Sequence, residues 1–249
     1  MSVQSKYIAP KFKKKTNPKV GLLALSTDLT IENDFQSICQ KLPFDLFVNR
    51  IHNENPLTKE NLKKMYDQIE SVTEKILPGQ KINTIAYGCT SGTIAIGEEK
   101  VKEKVQLAKA DCYVTTPVTS AIKAFEEMNL KNIALFTPYP ESVNKTILEY
   151  FRKKNINIVS FSTFNIDLDE DIASVDPKYL LETLVKLDIK DADALFVSCT
   201  ALPALQILDQ VERKINKIVL SSNQTLIWDT LRSIGYKFPV EGYGKLLRN

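Results

Sequence analysis

Two short segments set a thiol in the same surroundings. Ala86-Tyr87-Gly88-Cys89-Thr90-Ser91-Gly92 and Phe196-Val197-Ser198-Cys199-Thr200-Ala201-Leu202 each close an apolar run with a small residue, a cysteine and a threonine. Short runs of this kind read as buried strands, and the segments after them as helices. A cysteine at a strand-to-helix turn meets outward backbone N–H groups and the positive end of a helix dipole. That setting attracts a carboxylate and lowers a thiol pKa. Two such thiols on opposite faces of one small anion form an acid–base pair that needs no histidine: one takes a proton from carbon and the other returns one. Gly88 and Gly92 fit this reading, because close backbone approach to a ligand needs missing side chains.

The other reactive side chains have plainer readings. Cys39 lies in a helical segment and Cys112 at the start of a strand, both suited to core packing. The single histidine, His52, sits in the polar stretch Arg50-Ile51-His52-Asn53-Glu54 and reads as a surface residue. A histidine-dependent nucleophile would have to use that one ring. No CxxC pair occurs, so a zinc site is not expected. A glycine-rich dinucleotide fingerprint and a P-loop are also missing, which disfavours NAD and ATP enzymes.

The elements that must position the thiols follow from pattern. Eight apolar runs, Val20–Ser26, Phe44–Arg50, Ile82–Gly88, Cys112–Thr115, Asn132–Thr137, Ile156–Ser162, Ala194–Ser198 and Ile218–Ser221, alternate with helical spacing. The helical segments include Lys59–Ile76, Gly97–Ala108, Val118–Met128, Glu141–Lys153, Pro177–Leu187 and Pro203–Lys214. This alternation predicts right-handed βαβ units around parallel sheets. The last four runs follow the first four at an offset of roughly 110 residues, long enough for a duplicated domain. We therefore expect an α/β fold of two similar Rossmann-like (flavodoxin-like) domains, each with a parallel four-stranded sheet, related by pseudo-twofold symmetry. Ligands in such sheets bind beyond the carboxyl ends of the strands, where both cysteines fall.

Composition bounds the partners. With 249 residues, 43% hydrophobic and 25% charged, the chain is long enough for two cores and ordinary for a globular protein. A net charge of +3 gives no ground for a nucleic-acid partner. No apolar run approaches the roughly 20 residues of a membrane span. The basic stretch Lys11-Phe12-Lys13-Lys14-Lys15 reads as part of a solvated, flexible tail over residues 1–18. It lacks the features of a secretory or transit signal, so cytoplasmic localisation with reduced thiols is expected.

From Lys19 onward the motifs resemble the aspartate/glutamate racemase superfamily, in the branch of maleate cis-trans isomerase, arylmalonate decarboxylase and ectoine-utilisation proteins of the EutA type. The resemblance rests on Gly21-Leu22-Leu23 through Glu32, Tyr87–Gly92, Thr115-Thr116-Pro117, Thr137-Pro138-Tyr139, Ser198-Cys199-Thr200, Ser221-Ser222-Asn223 and Gly242-Tyr243-Gly244. It implies a cofactor-independent enzyme with no metal, acting on a small carboxylate, usually as a homo-oligomer. It also implies that the halves are not strictly sequential: residues 19–116 plus 225–249 form the first domain and 117–224 the second. Decarboxylases of this branch keep only the second cysteine, whereas its racemases and maleate isomerases keep both, as here. Carried over, Cys89 is the nucleophile, Cys199 the acid–base partner, and Tyr139 a hydrogen-bond donor to a substrate carboxylate. Thr90, Ser91 and Thr200 flank the thiols as substrate-binding residues, and Asn165 matches a substrate-contacting Asn.

One departure bears on the substrate. Where maleate isomerases hold a carboxylate-gripping Asn after the first strand, this chain has Asp28 in Leu25-Ser26-Thr27-Asp28-Leu29-Thr30-Ile31-Glu32. A buried, ionised Asp repels a second substrate carboxylate and suits an ammonium or amide group. That favours isomerisation or racemisation of an amino acid or N-acylated, ectoine-derived amino acid. The alternatives are maleate isomerisation or arylmalonate-type decarboxylation on the same fold, or a binding protein without turnover. Asp28 has a second reading as the cap of the next helix. Arg50, at the end of the second strand, reads either as a carboxylate partner in the cleft or as a surface ion-pair residue.

Overall fold

The computed structural model describes residues 6–14, 16–40 and 42–249. Residues 6–14 form no helix or strand and are exposed. Residues 1–5 and 15 of the expected tail lie outside the described residues.

The first half runs β1 (Lys19–Leu25), α1 (Ile31–Cys39), β2 (Asp45–Ile51), α2 (Lys59–Lys64), α3 (Tyr66–Glu74), β3 (Thr84–Gly88), α4 (Thr90–Ile96), α5 (Glu98–Ala108) and β4 (Tyr113–Thr115). The second runs α6 (Pro117–Glu127), β5 (Asn132–Thr137), α7 (Glu141–Lys153), β6 (Asn157–Thr163), α8 (Asp169–Ala173), α9 (Pro177–Val185), β7 (Ala194–Val197), α10 (Leu208–Ile215) and β8 (Ile218–Ser221). Helices α11 (Ser222–Ser233) and α12 (Lys245–Arg248) complete the chain. The sheets have the orders β2-β1-β3-β4 and β6-β5-β7-β8, and every pairing is parallel. The fold is thus α/β with two four-stranded parallel sheets of one topology, and each of the eight apolar runs supplies a strand.

Burial explains which runs carry the cysteines. The central strands β3 and β7 are buried along their whole length and read as unbroken apolar sequence, as parallel strands covered on both faces do. Edge strand β6 alternates exposed and half-buried residues and leaves Val159 and Phe161 partly exposed. Under the second sheet Phe125, Phe151 and Phe196 pack as three fully buried rings. Centroid separations are 5.5 to 6.2 Å, and Phe196 meets both others edge to face.

Two expected helices differ in extent. Lys59–Ile76 divides into α2 and α3 at Met65, whose buried side chain receives the Tyr87 hydroxyl at 3.7 Å from Sδ. Pro203–Lys214 begins with a 3-10 turn at Leu205–Ile207 and becomes α-helical only at Leu208. Beyond β8, α11 crosses to the first sheet: Thr84 and Ser233 hydroxyls meet at 2.6 Å, and Asp229 accepts from Tyr113 (2.9 Å) and Thr115 (2.7 Å). Helix α12 is instead tied to α10 by Arg248 ion pairs to Asp209 (2.7 Å) and Glu212 (3.2 Å). The segment 225–249 therefore touches the layers of both sheets.

Truncating a ring of the aromatic trio leaves a cavity that rigid neighbours cannot fill. Phe151→Ala is expected to lower unfolding free energy by about 3–5 kcal/mol, and Val159→Ala on the exposed edge strand by about 0.5 kcal/mol or less. Urea denaturation of both variants checks the contrast.

Candidate active site

Cys89 is the N-cap of α4, in extended conformation (φ −144°, ψ 115°), because β3 ends at Gly88 and the helix begins at Thr90. Its Sγ accepts the Gly92 N–H at 3.2 Å, and the Ser91 hydroxyl lies 3.8 Å away. The Thr93 hydroxyl donates to the Cys89 carbonyl at 2.6 Å and fixes the turn. Gly92 is required here by close packing: a Cβ would lie 2.8 Å from the Cys89 sulfur and 2.6 Å from Met65 Cε. The glycine thus makes room for the thiol and its neighbours. Burial, followed by the Asp169 charge, pushes the Cys89 thiol up to about 12 against the pull of the Gly92 and Ser91 hydrogen bonds, so the thiol is protonated at neutral pH.

Cys199 follows β7 but does not sit at a helix N-terminus. The carbonyls that a helix would use are taken by other donors: Thr200 O by Asn223 Nδ2 (2.8 Å) and Ala201 O by the Thr30 hydroxyl (2.7 Å). The chain stays irregular until Leu205, so the helix-dipole expectation applies to Cys89 and not to Cys199. Burial, the largest influence, raises the Cys199 pKa against the lowering pull of the Tyr139 hydroxyl and the Ala201 N–H. Asn223 also donates to Asp34 (2.8 Å), whose carboxyl burial pushes up to about 7.

The two thiol turns are joined. The Thr200 hydroxyl donates to the Gly88 carbonyl at 3.3 Å, linking the residue after one cysteine to the residue before the other. Tyr139 adjoins both: burial first, then the electrostatics of Cys199 and Cys89, raises its pKa. Its main-chain carbonyl accepts from Asn144 (2.6 Å) and Thr163 (2.8 Å), which hold the Thr-Pro-Tyr turn. Thr90 turns its hydroxyl to Ser222 at 3.0 Å, tying α4 to α11. Cys89, Cys199, Tyr139, Thr90, Ser91, Thr200 and Asp28 are all buried around this junction.

Asp28 takes its capping reading. Its Oδ1 caps the turn, accepting from Thr30 N (2.7 Å) and Ile31 N (2.9 Å), while Oδ2 is buried with no hydrogen-bond partner. The Thr200 hydroxyl lies near Asp28, but its proton goes to Gly88 O, so Oδ2 stays unpaired. Arg50 takes the other of its two readings. Its guanidinium donates to Leu25 O (3.0 Å), Asp28 O (2.8 Å) and Glu32 (2.8 Å), so it clamps the β1–α1 turn from the partly exposed side. Asn165 does not join the cluster. It is exposed, in the left-handed region at φ 60°, with its N–H given to the Thr163 hydroxyl.

The side chain that this segment sends to the thiols is Asp169, four residues further on. Its Oδ2 accepts from Thr27 (3.0 Å) and Asn53 (2.8 Å), and Leu57 N–H bonds Asp167 O at 2.9 Å, so a strap of the second half is latched onto the first. Burial pushes Asp169 up to about 6, and its charge raises the pKa of both cysteines. No sequence signal picked out Asp169: it reads as one of three acidic residues opening a short helix. His52 is exposed as expected, and Cys112 is core. Cys89 and Cys199 are only 2–3% exposed. A hollow of about 440 Å³ lined by Asp193, Arg213, Lys217 and Arg248 lies at the opposite end of the strands, where β7 and β8 begin.

A two-sheet α/β fold with a buried thiol at the same strand end in each half defines a class of cysteine-based enzyme. Residues 55–247 match the arylmalonate decarboxylase (Amdase) family, and the chain belongs to it, within the maleate isomerase and arylmalonate decarboxylase branch of the aspartate/glutamate racemase superfamily. A maleate isomerase of Geobacillus stearothermophilus is 25% identical over 245 residues, covering 92% of this chain and 96% of the relative. Arylmalonate decarboxylase of Bordetella bronchiseptica is 27% identical over 135 residues, 53% of this chain and 56% of the relative. Among solved structures, maleate isomerase Iso from Pseudomonas putida S16 superposes with a TM-score of 0.86 at 21% identity, covering 94% of this chain and 99% of that one. A cysteine-to-serine mutant of Nocardia farcinica maleate cis-trans isomerase with a covalently bound succinylcysteine intermediate gives 0.85 at 20% identity, covering 94% and 99%.

Two outcomes follow from this geometry. Gly92→Ala forces the Cys89 sulfur to move and is expected to lower kcat/KM at least tenfold, measured on whichever acid the parent protein turns over. Asp34 binds its proton more tightly folded (about 7) than unfolded (3.8), so its contribution to stability falls as pH rises between those values and is constant above. Asp34→Asn removes that loss. The stability of the variant relative to the parent is expected to rise by about 2–4 kcal/mol from pH 4 to pH 8, read from Tm and urea curves at each pH.

Proposed function

We propose that this chain is a cofactor-independent isomerase that works through the thiols of Cys89 and Cys199 on a small carboxylic acid. The reading supported best is cis–trans isomerisation of the maleate isomerase kind. Cys89 adds through sulfur to one alkene carbon. The C–S bond forms as the π bond breaks, and the electron pair moves toward the carboxylate on the adjacent carbon. That carbon takes a proton from Cys199, and the proton released by Cys89 replaces it on Cys199, so that the step is net addition of S–H across the double bond. Rotation about the new single bond and loss of the thiolate restore the alkene in the trans form and return both protons. The single observation that carries this is the pair of thiols at equivalent turns, joined through Thr200 and Gly88. A succinylcysteine intermediate in the Nocardia farcinica relative fits the same addition.

Burial supports protonated thiols as the resting state. A dry site raises the cost of free thiolate and so ties deprotonation of Cys89 to substrate arrival. Ser91 and Tyr139 serve the carboxylate beside Cys89 and Cys199, while Thr90 holds α4 to α11 through Ser222. Decarboxylation is disfavoured, because solved variants of arylmalonate decarboxylase include one with a glycine changed to cysteine, whereas this chain carries both cysteines itself.

A second reading, racemisation of an amino acid or N-acylated amino acid, has one observation in its favour: the unpaired, buried Oδ2 of Asp28 suits a nitrogen donor. The same thiols would then remove and return an α-proton.

Proton NMR of the protein with maleate and with amino acids in heavy water tests the proposal. Fumarate is expected from maleate, and deuterium at the α-carbon with loss of optical rotation marks the racemase reading; release of carbon dioxide would count against both. Cys89→Ala and Cys199→Ala are each expected to lower turnover by a factor on the order of 10³ or more, and a Cys199→Ser protein to retain a substrate-mass adduct on Cys89 by intact mass spectrometry.

A further inference from the structure

The side-chain amide of Asn223 joins the turn that carries Cys199 to a buried acid outside the thiol cluster. Asn223 is the second residue of α11 and is buried. Its Nδ2 spends one hydrogen on the Thr200 carbonyl (2.8 Å) and the other on Asp34 Oδ2 (2.8 Å), while its Oδ1 is buried with no hydrogen-bond partner. Thr200 in turn donates to Gly88 O, so three hydrogen bonds in series run from Asp34 to the residue before Cys89. Thr30, one helical turn before Asp34, holds Ala201 O from the same side. Asp34 has no ion-pair partner among the described residues. A buried carboxyl without a cation lowers stability once ionised, so folding alone does not account for it.

The proton on Asp34 decides what that amide can do. An ionised carboxyl only accepts, which turns Nδ2 toward Oδ2 and leaves the second hydrogen for Thr200 O. A protonated carboxyl donates, and the acceptor that Asn223 offers it is the unpaired Oδ1. Turning the amide over to meet that proton sets Oδ1 against the Thr200 carbonyl, which loses its donor. We propose that Asp34 is a positioning residue for Cys199: its carboxylate orients the Asn223 amide, and the amide holds the Thr200 carbonyl and with it the turn that carries the thiol. The inference rests on the two-thiol reading only for its effect on turnover. The turn is held above about pH 7, where Asp34 is ionised, and loosens below. The titratable group facing Asp34 is Asp28 of the β1–α1 turn, which raises it; Asn223 of α11 and Gln206 of the 3-10 turn are uncharged. Glu32, on the same helix, pairs outward with Arg50.

Reaction of the full-length protein with N-ethylmaleimide, followed at Cys199 and Cys89 by peptide mass spectrometry, tests this without substrate. Burial raises both thiols, so the ratio of Cys199 to Cys89 labelling cancels the ordinary rise of thiol reaction with pH, and Cys89 is fixed by its own place at the cap of α4. In the parent protein the ratio is expected to climb about threefold or more from pH 8 to pH 6, as Asp34 takes up its proton. Asp34→Leu and Asn223→Leu keep the size and remove the bridge. Each is expected to raise the ratio about fivefold or more at pH 8 and to make it flat with pH. Asp34→Asn keeps an acceptor that never takes a proton, so its ratio is expected to stay low across the range. Tm and near-ultraviolet circular dichroism check that each variant folds; where Asp34→Leu does not, the parent against Asp34→Asn carries the test. On an acid that the parent turns over, Asp34→Leu is expected to lower kcat about tenfold or more with KM changed less than about threefold, and Asp34→Asn to restore most of that loss. Asp34→Leu combined with Asn223→Leu is expected to be no worse than either alone. A ratio flat with pH in the parent, one that climbs equally in Asp34→Asn, or Asp34→Leu and Asn223→Leu proteins that match the parent at pH 8 overturn the inference. A parent that labels as expected and turns over no acid overturns the thiol reading alone. One that isomerises maleate while all four proteins share one labelling ratio overturns this inference alone.

Discussion

The site depends on a seam of hydrogen bonds that locks one thiol turn to the other half of the molecule. Thr200 donates to Gly88 O, Thr30 to Ala201 O, and Asn223 to Thr200 O. Each takes a carbonyl that regular structure would otherwise use. Together they tie the irregular turn after Cys199 to Gly88, Thr30 and Asn223. Buried carbonyls without partners are costly, so the irregular turn persists only because residues of other elements complete it. A duplicated fold thus yields two unlike thiol sites: Cys89 is a helix cap, and Cys199 is a loop residue.

Desolvation sets the chemistry of that seam. Cys89, Cys199 and Tyr139 are all raised in pKa by burial, and Asp28, Asp34 and Asp169 are raised with them. Acids whose pKa values burial raises keep their protons to higher pH than the same groups in water. The same burial leaves Cys89 and Cys199 only 2–3% exposed, with the strap that carries Asp169 held against the first half. The latch that closes it, Asp169 to Thr27 and Asn53, is made of the same carboxylate that adjoins the thiols.

Membership of the arylmalonate decarboxylase family places the chain among cofactor-independent, cysteine-dependent enzymes. Fold likeness to maleate isomerases spans nearly the whole chain.

All eight strands were legible in the amino-acid sequence, because parallel strands buried on both faces must be short, continuous apolar runs. The paired Cys-Thr turns were legible for a similar reason: a duplicated topology repeats its strand ends. Gly92 was noted, but for ligand approach, whereas the structure shows it clearing space for sulfur. Asn165 and Asp169 show where sequence reasoning stops. They lie four residues apart in a loop without periodicity, and nothing local says which one turns inward. Hydrogen bonds from Thr27 and Asn53, more than 100 residues away, select Asp169. Arg50 likewise had two equal readings until the β1–α1 turn supplied three acceptors on its outer side. Apolar pattern and repeated motifs are written along the chain; which polar side chain meets which is decided only when distant segments compete for the same buried donors and acceptors.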